Sequence, residues 1–72
     1  MGGEKVIIFG KAGWPYTSRA RSAFGETAVY YDVHSDPGKL EEMLEYSKGA
    51  REVPVIVEGD KVTLGYGGTW GI

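Results

Sequence analysis

The 72-residue chain has no cysteine and a single histidine, so neither a disulfide nor a Cys/His metal site can staple it. His34 stands in a turn with no carboxylate pair at ligand spacing, and no metal is expected. Long apolar runs are missing too. The longest, Val6-Ile7-Ile8-Phe9, falls far short of the ~20 residues a membrane helix needs, so no membrane partner is expected. Gly2 has Val6 where myristoylation wants Ser or Thr. Nor is there an excess of one charge. Lys and Arg number 8 against 10 Asp and Glu, a net charge of −2, with no general attraction to nucleic acid. The aromatic residues are not interleaved with a basic patch, and the glycines from Gly65 to Gly71 precede no helix and include no lysine, which excludes a phosphate loop. Glu41, Glu42 and Glu45 read as a solvated helix face rather than an acid/base pair. The expectation is one cytoplasmic domain over residues 1–72, since 72 residues is less than an average domain.

What is present is ordinary globular composition, 42% apolar and 25% charged, with 12 glycines. Val6–Phe9 reads as a central strand, buried on both faces. Gly10 to Gly13 breaks it, and Pro15 suits the first helical position. Tyr16, Ala20, Ala23 and Phe24 then share one helical face up to the stop at Gly25, which predicts a helix over 15–24. Ala28–Val33 has strand composition. Ser35 or Asp36 can cap a second helix with Pro37 just inside, a buried stripe of Leu40, Met43, Leu44 and Ser47, and an end at Gly49. Val53–Val57 is the third strand, and a short hairpin connection, Glu58-Gly59-Asp60-Lys61, returns the chain as Val62–Leu64. Residues 65–72 form a glycine-rich tail with too little helix propensity for a third helix. The order β-α-β-α-β-β makes an α/β domain. A right-handed parallel unit plus a hairpin gives a four-stranded mixed sheet. Tyr30 and Tyr31 point to opposite faces of their strand, one toward the core and one toward the surface.

Val6-Ile7-Ile8-Phe9, then Lys11, then Pro15-Tyr16 opening a helix, then Val53-Pro54 and a Gly67-Gly68 pair, resembles the glutaredoxin family. The likeness runs from about Lys5 to Gly68. It implies a thioredoxin-like fold, lacking the family's last helix, and a cis peptide bond before Pro54. An uncovered sheet face would then be open to a second copy or a partner. The resemblance also implies that glutathione is the co-substrate, with no bound cofactor, and that disulfide-containing proteins are partners. Lys11 would meet the glycine carboxylate of glutathione, and Tyr16 would flank the substrate. Val53 would offer backbone N–H and C=O to the cysteinyl residue beside Pro54. Gly67 and Gly68 would receive the γ-glutamyl end, with Thr69 standing where the family's pattern continues toward an acidic residue. Arg19 and Arg21 add positive charge near the first helix or serve as its solvated face.

The departure lies at the centre. The family carries Cys-Pro-Tyr-Cys, or a one-cysteine form ending in Ser, whereas this chain has Trp14-Pro15-Tyr16-Thr17. Thiol–disulfide exchange is attack of a thiolate on sulfur, and an indole is neither nucleophile nor redox couple for it. The chain as written is therefore expected to be redox-inactive. The tryptophan codon, UGG, differs by one base from the cysteine codons and from UGA, which encodes selenocysteine in some contexts. The hypothesis is that Trp14 stands in for selenocysteine or cysteine of a parent oxidoreductase, with Thr17 at the resolving position. Trp70, off every apolar period in a glycine-rich segment, invites the same suspicion; as ordinary aromatics, Trp70 would cover the sheet edge or core and Trp14 would be partly exposed. The alternative is a non-catalytic module that holds glutathione, a peptide or a protein partner with Trp14 as an aromatic anchor.

Overall fold

A computed structural model describes residues 5–72. Its elements are β1 (Val6–Gly10), α1 (Pro15–Phe24), a 3-10 turn (Gly25–Thr27), β2 (Ala28–Asp32), α2 (Pro37–Ser47), β3 (Glu52–Val53), β4 (Val55–Glu58), β5 (Lys61–Leu64) and β6 (Trp70–Gly71). Four strands form a mixed sheet in the order β2-β1-β4-β5, while β3 and β6 pair separately. β1 runs parallel to β2, as a crossover through α1 requires, and antiparallel to β4. Gly59, at φ 60°, supplies the positive φ that the tight β4–β5 turn needs.

Alternation along the central strands builds two cores. Phe9 joins Val33, Met43, Val53, Val55 and Val57 on the α2 side, whereas Ile8, Ala20 and Ile56 pack on the α1 side. The helices thus cover opposite faces, and the Val6–Phe9 run is buried-looking because both faces are occupied. Tyr30 and Tyr31 do point to opposite faces, but both are half-buried, since each face carries a helix. The stripe of α2 is as expected, with Met43 and Ser47 buried and Leu40 and Leu44 half-buried. Asp36, not Ser35, is its cap; the carboxylate accepts the Lys39 N–H at 3.2 Å.

Three expectations need correction. On α1 the buried positions are Thr17 and Ala20, with Phe24 half-buried, while Ala23 is exposed. The polar Thr17 is tolerated there because its hydroxyl takes the Lys11 N–H at 3.3 Å, and glycine at position 10 leaves it room. The stretch Val53–Val57 is not one strand. Pro54, preceded by a cis bond, has no N–H to give a ladder and divides it into β3 and β4. The tail is not merely irregular, because Trp70 and Gly71 pair with Val53 and Glu52.

Candidate functional site

The first turn of α1 places the residues that the sequence singles out. Pro15 occupies the first helical position, where its missing N–H costs no hydrogen bond. Trp14 is therefore the N-cap, in extended backbone at φ −89° and ψ 136°, and its side chain makes no capping bond. Its carbonyl accepts the Ser18 N–H at 3.0 Å, and its own N–H reaches the Lys11 carbonyl at 3.2 Å. No acidic residue stands in the first turn of the helix, whose N-terminal end carries the positive end of its dipole. The Lys11 ammonium lies 5.1 Å from the centre of the Trp14 ring, adding a second positive charge to the same spot.

Trp14 is half-buried, its indole resting on the core cluster that contains Val53. Trp70 pairs with Val53, and its ring centre lies 5.1 Å from that of Trp14 and 6.4 Å from that of Tyr16. Trp70 is nonetheless 45% exposed, and its ring packs on the Trp14 and Tyr16 rings. Val53 and Pro54 are buried, and the Pro54 carbonyl accepts the Gly65 N–H at 2.7 Å. Gly68 lies flat against Tyr16: a Cβ there would stand 2.5 Å from the ring's Cζ. Thr69 packs on Gly65, where a Cβ would meet its Cγ2 at 2.7 Å. Gly67 has φ 80°, a conformation that favours glycine. Trp14, Tyr16 and Val53 thus meet at Trp70, with Lys11 over the Trp14 ring and Gly68 against Tyr16. Thr17 is not among them. It points inward beneath Gly10, 1% exposed.

Sequence reasoning passed over Asp32. Its carboxylate accepts the N–H of Ala12 at 3.3 Å, of His34 at 2.9 Å and of Ser35 at 3.4 Å. Burial acts to raise its pKa, but the three backbone donors, together with the nearby His34 imidazole, hold the carboxyl below its usual value. The Asp-x-His order carried the clue, an aspartate bonding the backbone two residues on. The link to Ala12, twenty residues away in sequence, carried none.

A cavity of about 470 Å³ lies behind α1, lined by Ser18, Arg21, Ser22, Gly25 and Tyr30 among others, and shares no lining residue with the Trp14 cluster. The Tyr30 hydroxyl there has no partner among the described residues; burial first, and then the nearby Asp32 carboxylate, push its pKa up. Among the described residues no group of three or more acidic, His or Cys side chains is placed to hold a metal, and no helix is long and apolar enough to cross a membrane.

Residues 6–63 match the sequence profile of the family described as glutaredoxin. The structure is similar to the crystal structure of a glutaredoxin (grx-1) from Archaeoglobus fulgidus, with a TM-score of 0.66 and 23% sequence identity. That similarity covers 90% of this chain and 78% of the other. No curated protein matches the chain in sequence.

Proposed function

The chain belongs to the glutaredoxin family, whose fold and general role are those of a thiol–disulfide oxidoreductase, and from that premise we propose that position 14 is the seat of a reactive chalcogen in a parent protein linked to glutathione. As written, with an indole in that seat, the chain lacks the redox couple, and binding is the one part of the family's chemistry left to it. The observation that carries this reading is the environment of residue 14: the N-cap of a ten-residue helix, no acidic side chain in its first turn, and the Lys11 ammonium 5.1 Å from its ring. A thiolate or selenolate placed there would be stabilised by the helix terminus and the cation, and a thiol pKa of ~8.5 falls to ~3.5–7.5 in such surroundings.

In this reading Lys11 takes the glycine carboxylate of glutathione, Val53 its cysteinyl backbone beside Pro54, and Gly67, Gly68 and Thr69 the γ-glutamyl end, with Tyr16 flanking. The residue 14 chalcogenolate takes the glutathionyl group from a mixed disulfide, and a second glutathione releases it. The test is Trp14→Cys. Glutathione-dependent reduction of a small mixed disulfide should appear in this variant and be absent from Trp14→Ser, with a thiol pKa below ~8.5 read from its ultraviolet thiolate absorbance. Equal rates in the two variants would end the proposal.

The half-exposed cluster of Trp14, Tyr16 and Trp70 favours a second reading, a non-catalytic module with an aromatic anchor for a peptide or protein. A glutathione titration followed by amide shifts separates the two. Shifts at Lys11, Val53 and Gly67 to Thr69 support the inherited pocket. Shifts confined to Trp14 and Trp70, and seen only with a protein, support the module.

A further inference from the structure

Trp70 stands where the proposed substrate would stand. In β3–β6 the register sets Glu52 against Gly71 and Val53 against Trp70. The Ile72 N–H donates to the Arg51 carbonyl at 3.0 Å, just beyond the Glu52–Gly71 pair, and this bond sets the phase of the ladder. Hydrogen-bonded and non-hydrogen-bonded positions alternate along an antiparallel ladder, so with this phase Val53 and Trp70, two residues further on, fall at a hydrogen-bonded position. The Arg51 guanidinium also donates to the Ile72 carbonyl at 3.1 Å, fastening the end of the ladder. Directly opposed residues project to the same side, and on that side the residue 70 ring lies 5.1 Å from the residue 14 ring.

We infer that position 70 is the internal partner of position 14, delivered by the tail into the seat of the substrate's cysteinyl residue. The inference rests on the reading of position 14 given above and adds a second chalcogen position to it. With a thiol or selenol at both places, the sequence of bonds closes without any further group. A disulfide substrate carrying glutathione loses its sulfur–sulfur bond to the residue 14 chalcogenolate; glutathione passes to residue 14 and the substrate thiolate leaves and takes a proton. The residue 70 chalcogenolate then attacks residue 14. The 14–70 bond forms, the bond to glutathione breaks, and glutathione leaves as a thiol. Two further glutathione molecules reopen the pair and depart as glutathione disulfide, so the two electrons that reduced the substrate come from glutathione. Thr17 takes no part. Its hydroxyl is buried beneath Gly10 and accepts the Lys11 N–H.

The experiment compares W14C with W14C/W70C, each treated with glutathione disulfide and weighed intact. W14C should keep one glutathione adduct. The double variant should lose the adduct and end two hydrogens lighter than its reduced form, with a 14–70 link in the non-reducing peptide map. An adduct that persists in W14C/W70C without that link overturns the inference. If W14C itself accepts no glutathione, the reading of position 14 fails separately, and the pair is then judged with a small azo oxidant of dithiols: closure supports it and failure to close overturns it. Adding I72P to the double variant removes the Arg51 bond and should slow closure roughly threefold to tenfold, the worth of one such hydrogen bond; an unchanged rate overturns the role of the ladder. A readout independent of cysteine uses the unmodified chain, where nuclear Overhauser contacts between the Trp14 and Trp70 rings are expected and their absence overturns the placement.

Discussion

Gly10 and Thr17 compete for one volume. A Cβ at position 10 would lie 2.5 Å from Thr17 Cγ2 and 2.7 Å from its hydroxyl oxygen, closer than real atoms approach. Gly10→Ala should therefore cost about 1–3 kcal/mol through overpacking. Thr17→Ala deletes the two obstructing atoms and the acceptor of the Lys11 N–H, a loss of about 1 kcal/mol. Because each change relieves the other, the double variant should be less destabilised than the two singles added together, read from urea unfolding midpoints. Strict additivity would mean that the backbone around Gly10, not Thr17, sets the limit. The same contact explains why Thr17 is a poor guide to chemistry when read from sequence alone. A threonine three residues after the reactive position looks like a resolving residue by its spacing, yet its hydroxyl is already spent inside the fold. Ala23 misleads in the opposite way: it falls on an apolar period, but the helix is rolled so that Thr17 and Ala20 face the sheet.

The loop before α1 is held by an element it never touches in sequence. Asp32, at the end of β2, bonds Ala12 two residues ahead of Trp14 and also closes its own turn onto His34 and Ser35. Its carboxyl is held below the usual value, so the sign of the pH effect follows: the contribution is complete above the unfolded pKa of ~3.9 and is lost as pH falls through the lower folded value. Asp32→Ala should lower stability by on the order of 1 kcal/mol at neutral pH, and the gap to the parent chain should narrow below about pH 4. Asp32→Asn keeps an acceptor without the charge and should fall between the two; a gap independent of pH in urea titrations at pH 7 and pH 3 would sink the account. At this scale the sequence was informative where boundaries are local. Pro15 and Gly25 bracket α1, and Pro37 with the Asp36 cap opens α2, because proline, glycine and a capping carboxylate act on their own backbone. It was silent where pairing is remote. A two-residue strand such as β6 has no period to detect, and the break at Pro54 becomes visible only once β3 has found a partner other than the main sheet.

The whole molecule divides into a tightly held centre and a lightly held rim, and the candidate site straddles the border. Ile8, Phe9, Val55 and Ile56 are at most 2% exposed and lie on strands paired on both sides. Their amides are released only when the domain unfolds, at a cost of roughly 4–11 kcal/mol for 72 residues. The β3–β6 ladder pairs only two residues, and Trp70 on it is 45% exposed. Opening it exposes little surface and sacrifices a few hydrogen bonds and the contact between two indoles. The tail should therefore leave the Val53 edge far more often than the domain unfolds, which is what any ligand aimed at that edge requires. Hydrogen exchange measures this directly. The Ile72 amide, bonded to the Arg51 carbonyl, should exchange at least ~100-fold faster, relative to its unprotected rate, than those of Ile8 and Ile56. Small additions of urea should then accelerate Ile8 and Ile56 steeply and Ile72 hardly at all, since urea sensitivity scales with the surface an opening exposes. If all three amides shared one urea dependence, the tail would open only with global unfolding, and the Val53 edge would be closed to substrate in the folded chain.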